Sequence, residues 1–168
     1  MKIKRVVVGP LEENCYIVEN DFGCIIIDPG DEVEKILSNI EKEVKGILIT
    51  HYHFDHIGAL QKLKDYYHIK ENNFEIDGFD FEVIETPGHT KDSLTFYFKE
   101  ENIMFVGDFI FNKGIGRVDL PTGNMQDMIK SLNNIFKYSE NTIIYPGHGE
   151  SSTLKEEKYY LDNFFFKF

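Results

Sequence analysis

The sequence predicts an α/β fold in which two β-sheets pack together with helices outside. Three observations carry this reading. Short runs of branched apolar residues recur along the chain and alternate with stretches whose apolar residues fall at helical spacing. Several of these runs end in Pro-Gly-His, in Gly-Asp or in a cluster of histidines, so strand ends are where the chain concentrates its chemistry. A length of 168 residues with 42% hydrophobic composition suits one domain, read here as spanning 1–168.

Taken in order, residues 3–8, 14–19 and 23–28 read as an antiparallel set joined by tight turns. Asp31 is placed as the N-cap of an amphipathic helix over 32–43. Val44-Lys45-Gly46-Ile47-Leu48-Ile49-Thr50 is a buried strand, and Ile57, Leu60 and Leu63 mark a helix after it. Strands are expected at 79–84, 103–107 and 142–145. A helix over 125–138 sets Met128, Ile129, Leu132, Ile135 and Phe136 on one face, and a last helix covers 153–164. The aromatic end, Asn163-Phe164-Phe165-Phe166-Lys167-Phe168, is expected to pack on the domain's own core, with a subunit contact as the alternative. The chain carries no repeat, low-complexity tract or linker.

Charge and cysteines narrow the partners. The formal charge is −11, and two divalent ions would leave it at −7, which repels phosphate backbones and argues against nucleic acid. No basic amphipathic segment suits a membrane surface, and neither a signal peptide nor a span-length apolar run is present, so cytoplasmic residence is the expectation. With Asp21-Phe22 as a hairpin turn, Cys24 faces Glu19 and Cys15 faces Asp28; the two thiols are not opposite and are expected buried and reduced.

The densest chemistry lies in Thr50-His51-Tyr52-His53-Phe54-Asp55-His56. Three of the chain's six histidines and a carboxylate share six residues. Neutral imidazole and carboxylate are the usual ligands of zinc and related divalent ions. Four such groups this close are too many to reach one ion from regular structure, whereas two neighbouring ions would use them all. His51 and His53 fall on the strand-to-helix loop, with Asp55 and His56 at the helix start. His89 in Thr86-Pro87-Gly88-His89-Thr90 and His148 in Tyr145-Pro146-Gly147-His148-Gly149 each follow a strand and a Pro-Gly turn that swings the imidazole off the strand end. Asp108 ends a buried strand after Gly107, and a carboxylate has two oxygens with which to bridge cations. His68 has no strand-end context and reads as a surface residue.

Together these pieces resemble the metallo-β-lactamase superfamily. The carrying motifs are Thr50 to His56, Thr86-Pro87-Gly88-His89-Thr90, Gly107-Asp108 and Pro146-Gly147-His148-Gly149, in the family's order, with Glu13-Asn14-Cys15-Tyr16 and Ile27-Asp28-Pro29-Gly30 as further matches. The resemblance implies an αββα sandwich of two mixed sheets with outer helices. It also implies that His51, His53 and His89 hold one metal, that Asp55, His56 and His148 hold a second, and that Asp108 bridges them with a water or hydroxide. Asp55 and Asp108 are then the catalytic carboxylates. The stretch Gly114-Ile115-Gly116-Arg117-Val118-Asp119 is similar to a segment of glyoxalase II-like thioesterases and persulfide dioxygenases, and the short single-domain glyoxalase II-like hydrolases are the nearest match. Two departures stand out. Only 20 residues follow His148, leaving no room for glyoxalase II's C-terminal helical domain, and the polar segment 67–77, where the family builds a wall over its active site, is short.

The leading functional reading is hydrolysis of a small acyl-thioester by a metal-bridging hydroxide, with two divalent ions as cofactors: zinc first, with iron or manganese as options. Asp28 and Thr50 are candidates for orienting the imidazoles. Lys113 and Arg117 are candidates for holding a substrate carboxylate. One rival is a persulfide dioxygenase with a single iron on His51, His89 and Asp108. A rival of another class is a non-catalytic metal-binding protein, which seven ligand candidates argue against because a structural site needs four.

Overall fold

Runs rich in branched apolar residues build the first three strands, β1 (Lys2–Val8), partly exposed, and β2 (Glu13–Glu19) and β3 (Cys24–Ile27), both buried along their whole length. The computed structural model describes residues 1–165, which gather into two compact units, Met1–Asp80 and the chain from Phe81 onward.

In the first unit, β1, β2 and β3 pair antiparallel and β4 (Val44–Leu48) joins β3 in parallel, giving a mixed sheet of order β1-β2-β3-β4. The turn from β2 to β3 is closed by Asn20 N donating to Gly23 O at 3.0 Å, and it sets Cys24 opposite Glu19, as the sequence predicts. Both cysteines are buried and free. Burial pushes the Cys15 thiol well up, with the charges of Glu13 and Asp28 adding to it, and pushes Cys24 up to about 11. Val6, Val8, Cys15, Ile17 and Ile26 form a core with Ile36 of α1 (Val33–Ser38) and Leu60 and Leu63 of α3 (Leu60–Tyr67).

Two expected helices differ. The one anticipated over 32–43 is the shorter α1; its N-cap is Glu32, in the left-handed region at φ 46, without a side-chain cap bond. Asp31 only accepts from Glu32 N, at 2.7 Å. Beyond Ser38 the side chains have other partners: Glu41 pairs with Lys4 at 2.8 Å, and Lys42 donates to Asn20 O. Acidic residues at that end would also oppose the helix dipole. The helix after the histidine motif is split into α2 (Phe54–Ile57) and α3, because Ala59 N turns to Pro29 O at 3.0 Å. His68 ends α3 with a left-handed backbone and is exposed, as expected.

The short polar segment that follows folds back along β4. Asn72 N donates to Ile47 O at 2.9 Å, and its side-chain oxygen accepts from Ile49 N at 2.7 Å. One asparagine thus covers the sheet edge at the strand that leads into the histidines.

The second unit carries a five-stranded mixed sheet built from β5 (Glu82–Glu85), β6 (Leu94–Phe98), β7 (Ile103–Gly107), β10 (Ile143–Pro146) and β11 (Ser152–Thr153). Its order is β11-β10-β7-β6-β5, with β10 parallel to β7 and the other pairs antiparallel. After β7 comes a small hairpin, β8 (Ile110–Phe111) and β9 (Gly114–Ile115). Helix α4 (Met125–Ile135) is capped by Asn124, which accepts from Gln126 N and Asp127 N; its Met128, Leu132 and Ile135 pack with Val106, Phe109 and Ile144. Helix α5 (Leu154–Tyr160) starts in a Thr153–Glu156 capping box and passes into a π-helical turn, Leu161–Phe165. Phe164 is 64% exposed, its ring 5.2 Å from that of Tyr160 between centroids, so the expected core packing is not met at this residue. Phe166, Lys167 and Phe168 lie outside the described residues. No helix among the described residues is long and apolar enough to cross a membrane.

Candidate metal centre

In the first unit the donors stand where β4 ends. Asp28, in the left-handed region at φ 49 just past β3, turns its carboxylate toward Thr50. It accepts from Thr50 N at 2.7 Å and from the Thr50 hydroxyl at 2.6 Å. The same carboxylate faces His56 Nδ1 at 3.0 Å. Because the Thr50 hydroxyl gives its proton to Asp28, its oxygen is left to accept from His51 Nδ1, 3.2 Å away. The protons of both imidazoles therefore sit on Nδ1, and each Nε2 is left with its lone pair for a metal. His51 Nε2 and His53 Nδ1 come within 3.1 Å of each other, and His56 Nε2 lies 3.8 Å from Asp55 Oδ2. The structure thus brings His51, His53, Asp55 and His56 together, with His51 and His56 buried.

The second unit assembles its own set. His89 follows the Pro87-Gly88 turn that leaves β5, and its Nδ1 faces the Arg117 carbonyl at 2.7 Å. With Nδ1 so engaged, Nε2 is turned toward Asp108, 3.5 Å from its Oδ2. His148, beyond β10, directs its Nε2 to the other oxygen, Asp108 Oδ1, at 3.7 Å. One carboxylate therefore presents each oxygen to a different imidazole. The loop that supplies the Arg117 carbonyl lies close against Asp108: a Cβ at Gly116 would stand 1.8 Å from Asp108 O, so only glycine fits there.

The candidate substrate residues have partners of their own. Arg117 is exposed and holds Asp119 by two bonds of 2.9 Å; the guanidinium keeps the Asp119 carboxyl down at about 2. Lys113 tips the β8–β9 hairpin, where its backbone N–H donates to Glu157 at 2.7 Å. It lines a hollow of about 540 Å³ with Ser152, Glu157 and Tyr160.

Sequence reasoning passed over Glu13 as a site residue. It opens β2, is 1% exposed, and places Oε1 3.7 Å from His56 Nδ1. The available signal was a carboxylate at the head of a strand that is buried along its whole length. The donor chemistry fits divalent ions: imidazoles with their protons fixed on one nitrogen, and carboxylates close by in both units.

Comparison with known proteins agrees with this chemistry. The model of the metallo-β-lactamase superfamily matches residues 8–72 and 69–148, and the chain belongs to that superfamily. Its fold is the family's α/β fold, two mixed sheets with helices, as the sequence predicts. It is a metal-binding hydrolase of that family, 29% identical over 94% of its length to the hydroxyacylglutathione hydrolase GloC of Haemophilus influenzae, 95% of which is covered. Among solved structures it is similar to BLEG-1, a B3 metallo-β-lactamase, with TM-score 0.87 and 29% identity over 93% of this chain and 96% of that one. It is also similar to TTHA1623 in a di-iron-bound form, with TM-score 0.84 and 30% identity over 92% of this chain and 96% of that one.

Proposed function

We propose that this chain hydrolyses a small acyl-thioester with two divalent metal ions. In this reading His51, His53 and His89 serve one ion, Asp55, His56 and His148 the other, and Asp108 serves both. The observation that carries it is Asp108, whose oxygens lie 3.5 and 3.7 Å from the Nε2 atoms of two different histidines. A single iron on His51, His89 and Asp108 would use only the first of those contacts. The relatives lend support, since GloC is named for hydrolysis of a glutathione thioester and TTHA1623 is described with two irons.

When bound, such ions lower the pKa of a shared water to about 7 and polarise a carbonyl. The chain's own work is to keep the imidazoles in the ligating tautomer through Asp28, Thr50 and the Arg117 carbonyl. Asp55 and Asp108 add negative charge that offsets that of the ions. Lys113 and Arg117 are proposed to meet a carboxylate on the substrate. Arg117 would exchange Asp119 for it at little cost, because exposed ion pairs contribute little. The acidic surface favours a small-molecule substrate over nucleic acid.

The test is anaerobic purification, metal analysis per chain and a panel of thioesters with a β-lactam and an organic persulfide included. Two ions per chain, with thioester hydrolysis lost to a chelator and restored by metal, is the expected result. One iron per chain with oxygen consumed on the persulfide would overturn it.

A further inference from the structure

We propose that Glu13 is a positioning residue for His56, a carboxylate beside Asp28 that tightens metal binding at His56 and leaves the His51–His53 donors largely alone. The inference rests on the reading of His56 as a metal ligand and goes beyond it by adding a residue that touches no ion. Three side chains meet here with almost no access to water: His56 at 0%, Glu13 at 1% and Asp28 at 2% exposure. Asp28 Oδ2 stands 3.0 Å from His56 Nδ1 and Glu13 Oε1 stands 3.7 Å from it. In a buried setting, two carboxylates beside one imidazole N–H draw that proton toward themselves and push electron density to Nε2, which makes the imidazole a stronger ligand.

Glu13 is also fixed mechanically. An added Cβ at Gly30 would lie 2.5 Å from Glu13 Oε2 and 1.9 Å from the Asp55 carbonyl oxygen. The Glu13 carboxylate, the loop that carries Asp28 and the first turn of α2 are therefore in van der Waals contact. Ala59 N, donating to Pro29 O at 3.0 Å, holds the other end of α2 to the same loop. His51 Nδ1 is oriented by a hydroxyl, that of Thr50, at 3.2 Å. A carboxylate placed here for stability alone would be a poor choice, because burying a second negative charge beside Asp28 costs desolvation.

The test compares wild type with Glu13→Gln, which keeps the shape and removes the charge. Zinc is titrated by chelator competition, and thermal unfolding of the metal-free proteins is followed in parallel. The expected result is about a tenfold loss of zinc affinity for one ion per chain, with the other unchanged, while metal-free Glu13→Gln is as stable as wild type or more so. Equal zinc affinity in the two proteins would overturn the proposal, as would loss of affinity for both ions together with a lowered melting temperature, the mark of a merely structural residue. His56→Ala in the same titration separates this from the underlying reading. If His56→Ala also leaves zinc binding untouched, His56 is no ligand and the two-metal reading falls first. If His56→Ala removes one ion and Glu13→Gln changes nothing, the role of Glu13 falls alone.

Discussion

Replacing Asp28 by asparagine should disable His56 without touching any ligand. The carboxylate accepts three bonds, from Thr50 N at 2.7 Å, the Thr50 hydroxyl at 2.6 Å and His56 Nδ1 at 3.0 Å. An amide keeps one acceptor oxygen. If that oxygen stays on Thr50 N, the NH2 group faces the Thr50 hydroxyl and His56 Nδ1. Both must then accept, so the His56 proton moves to Nε2, the nitrogen meant for metal. Two bonds to a charged group, at about 1.5–3 kcal/mol each, are lost and partly replaced by neutral ones, for a net cost of about 3 kcal/mol. At about 2–4 °C per kcal/mol for a chain of this size, metal-free protein should melt roughly 6–12 °C lower. The forced tautomer should weaken the position served by His56 by about 10–100-fold, and the position served by His51 should weaken as well, because the Thr50 hydroxyl is then free to turn its proton toward His51 Nδ1. Two-dimensional 15N–1H spectra of the imidazole nitrogens read the tautomer directly, and chelator competition reads the affinity. An unchanged tautomer with unchanged affinity would refute the argument that Asp28 sets the protonation of His56.

Metal counting on two variants tests the assignment of Asp108. Asp108→Asn should lower occupancy of both ions, whereas His148→Ala should empty only one; metal per chain by mass spectrometry reads the difference. Both thiols should resist alkylation at pH 8 in the folded protein and react once urea is added, as mass shifts will show, since burial raises both. Because Cys24 titrates near 11 when folded and near 9 when not, its contribution to stability is complete below about pH 9 and is lost as pH rises toward 11, readable in urea midpoints. Thr153→Ala removes the reciprocal bonds of the α5 capping box and should cost about 1 kcal/mol, seen as a melting temperature roughly 2–4 °C lower. The Arg117–Asp119 pair should keep the Asp119 carboxyl ionised down to about pH 2, where its favourable contribution is lost; a carbon-13 NMR titration midpoint near 4 would contradict the bidentate geometry.

The central strands were readable because full burial leaves a short continuous apolar run in the sequence, as at Ile103–Gly107, and His89 and His148 because their strand-end turns are signalled by Pro-Gly. The helix boundaries were not. The end of α1 is decided by Glu41 reaching Lys4, a contact 37 positions away that no local pattern encodes. The break between α2 and α3 is decided by Pro29 accepting from Ala59, again far along the chain. Within the site, donor residues carry a signal in their type, since imidazoles cluster rarely by chance. The groups that orient them do not: the Arg117 carbonyl acts on His89 through a backbone atom that every residue possesses, and Glu13 is one acid among 29 acidic residues.

The line Asp28–Thr50–His51 has a direction, and that direction matters to how the protein meets a metal. A free imidazole in water divides itself between two neutral forms, and a hydroxyl rotates to suit whichever is present. Here the carboxylate has no proton to give, so the hydroxyl can point only one way, and the imidazole beyond it can keep its hydrogen on only one nitrogen. The choice is built into the folded chain's own hydrogen bonds. A valine at position 50 would match the threonine in volume and still erase the instruction, leaving His51 in place but undecided. The identity of an imidazole's ligating nitrogen thus hangs on one hydroxyl oxygen.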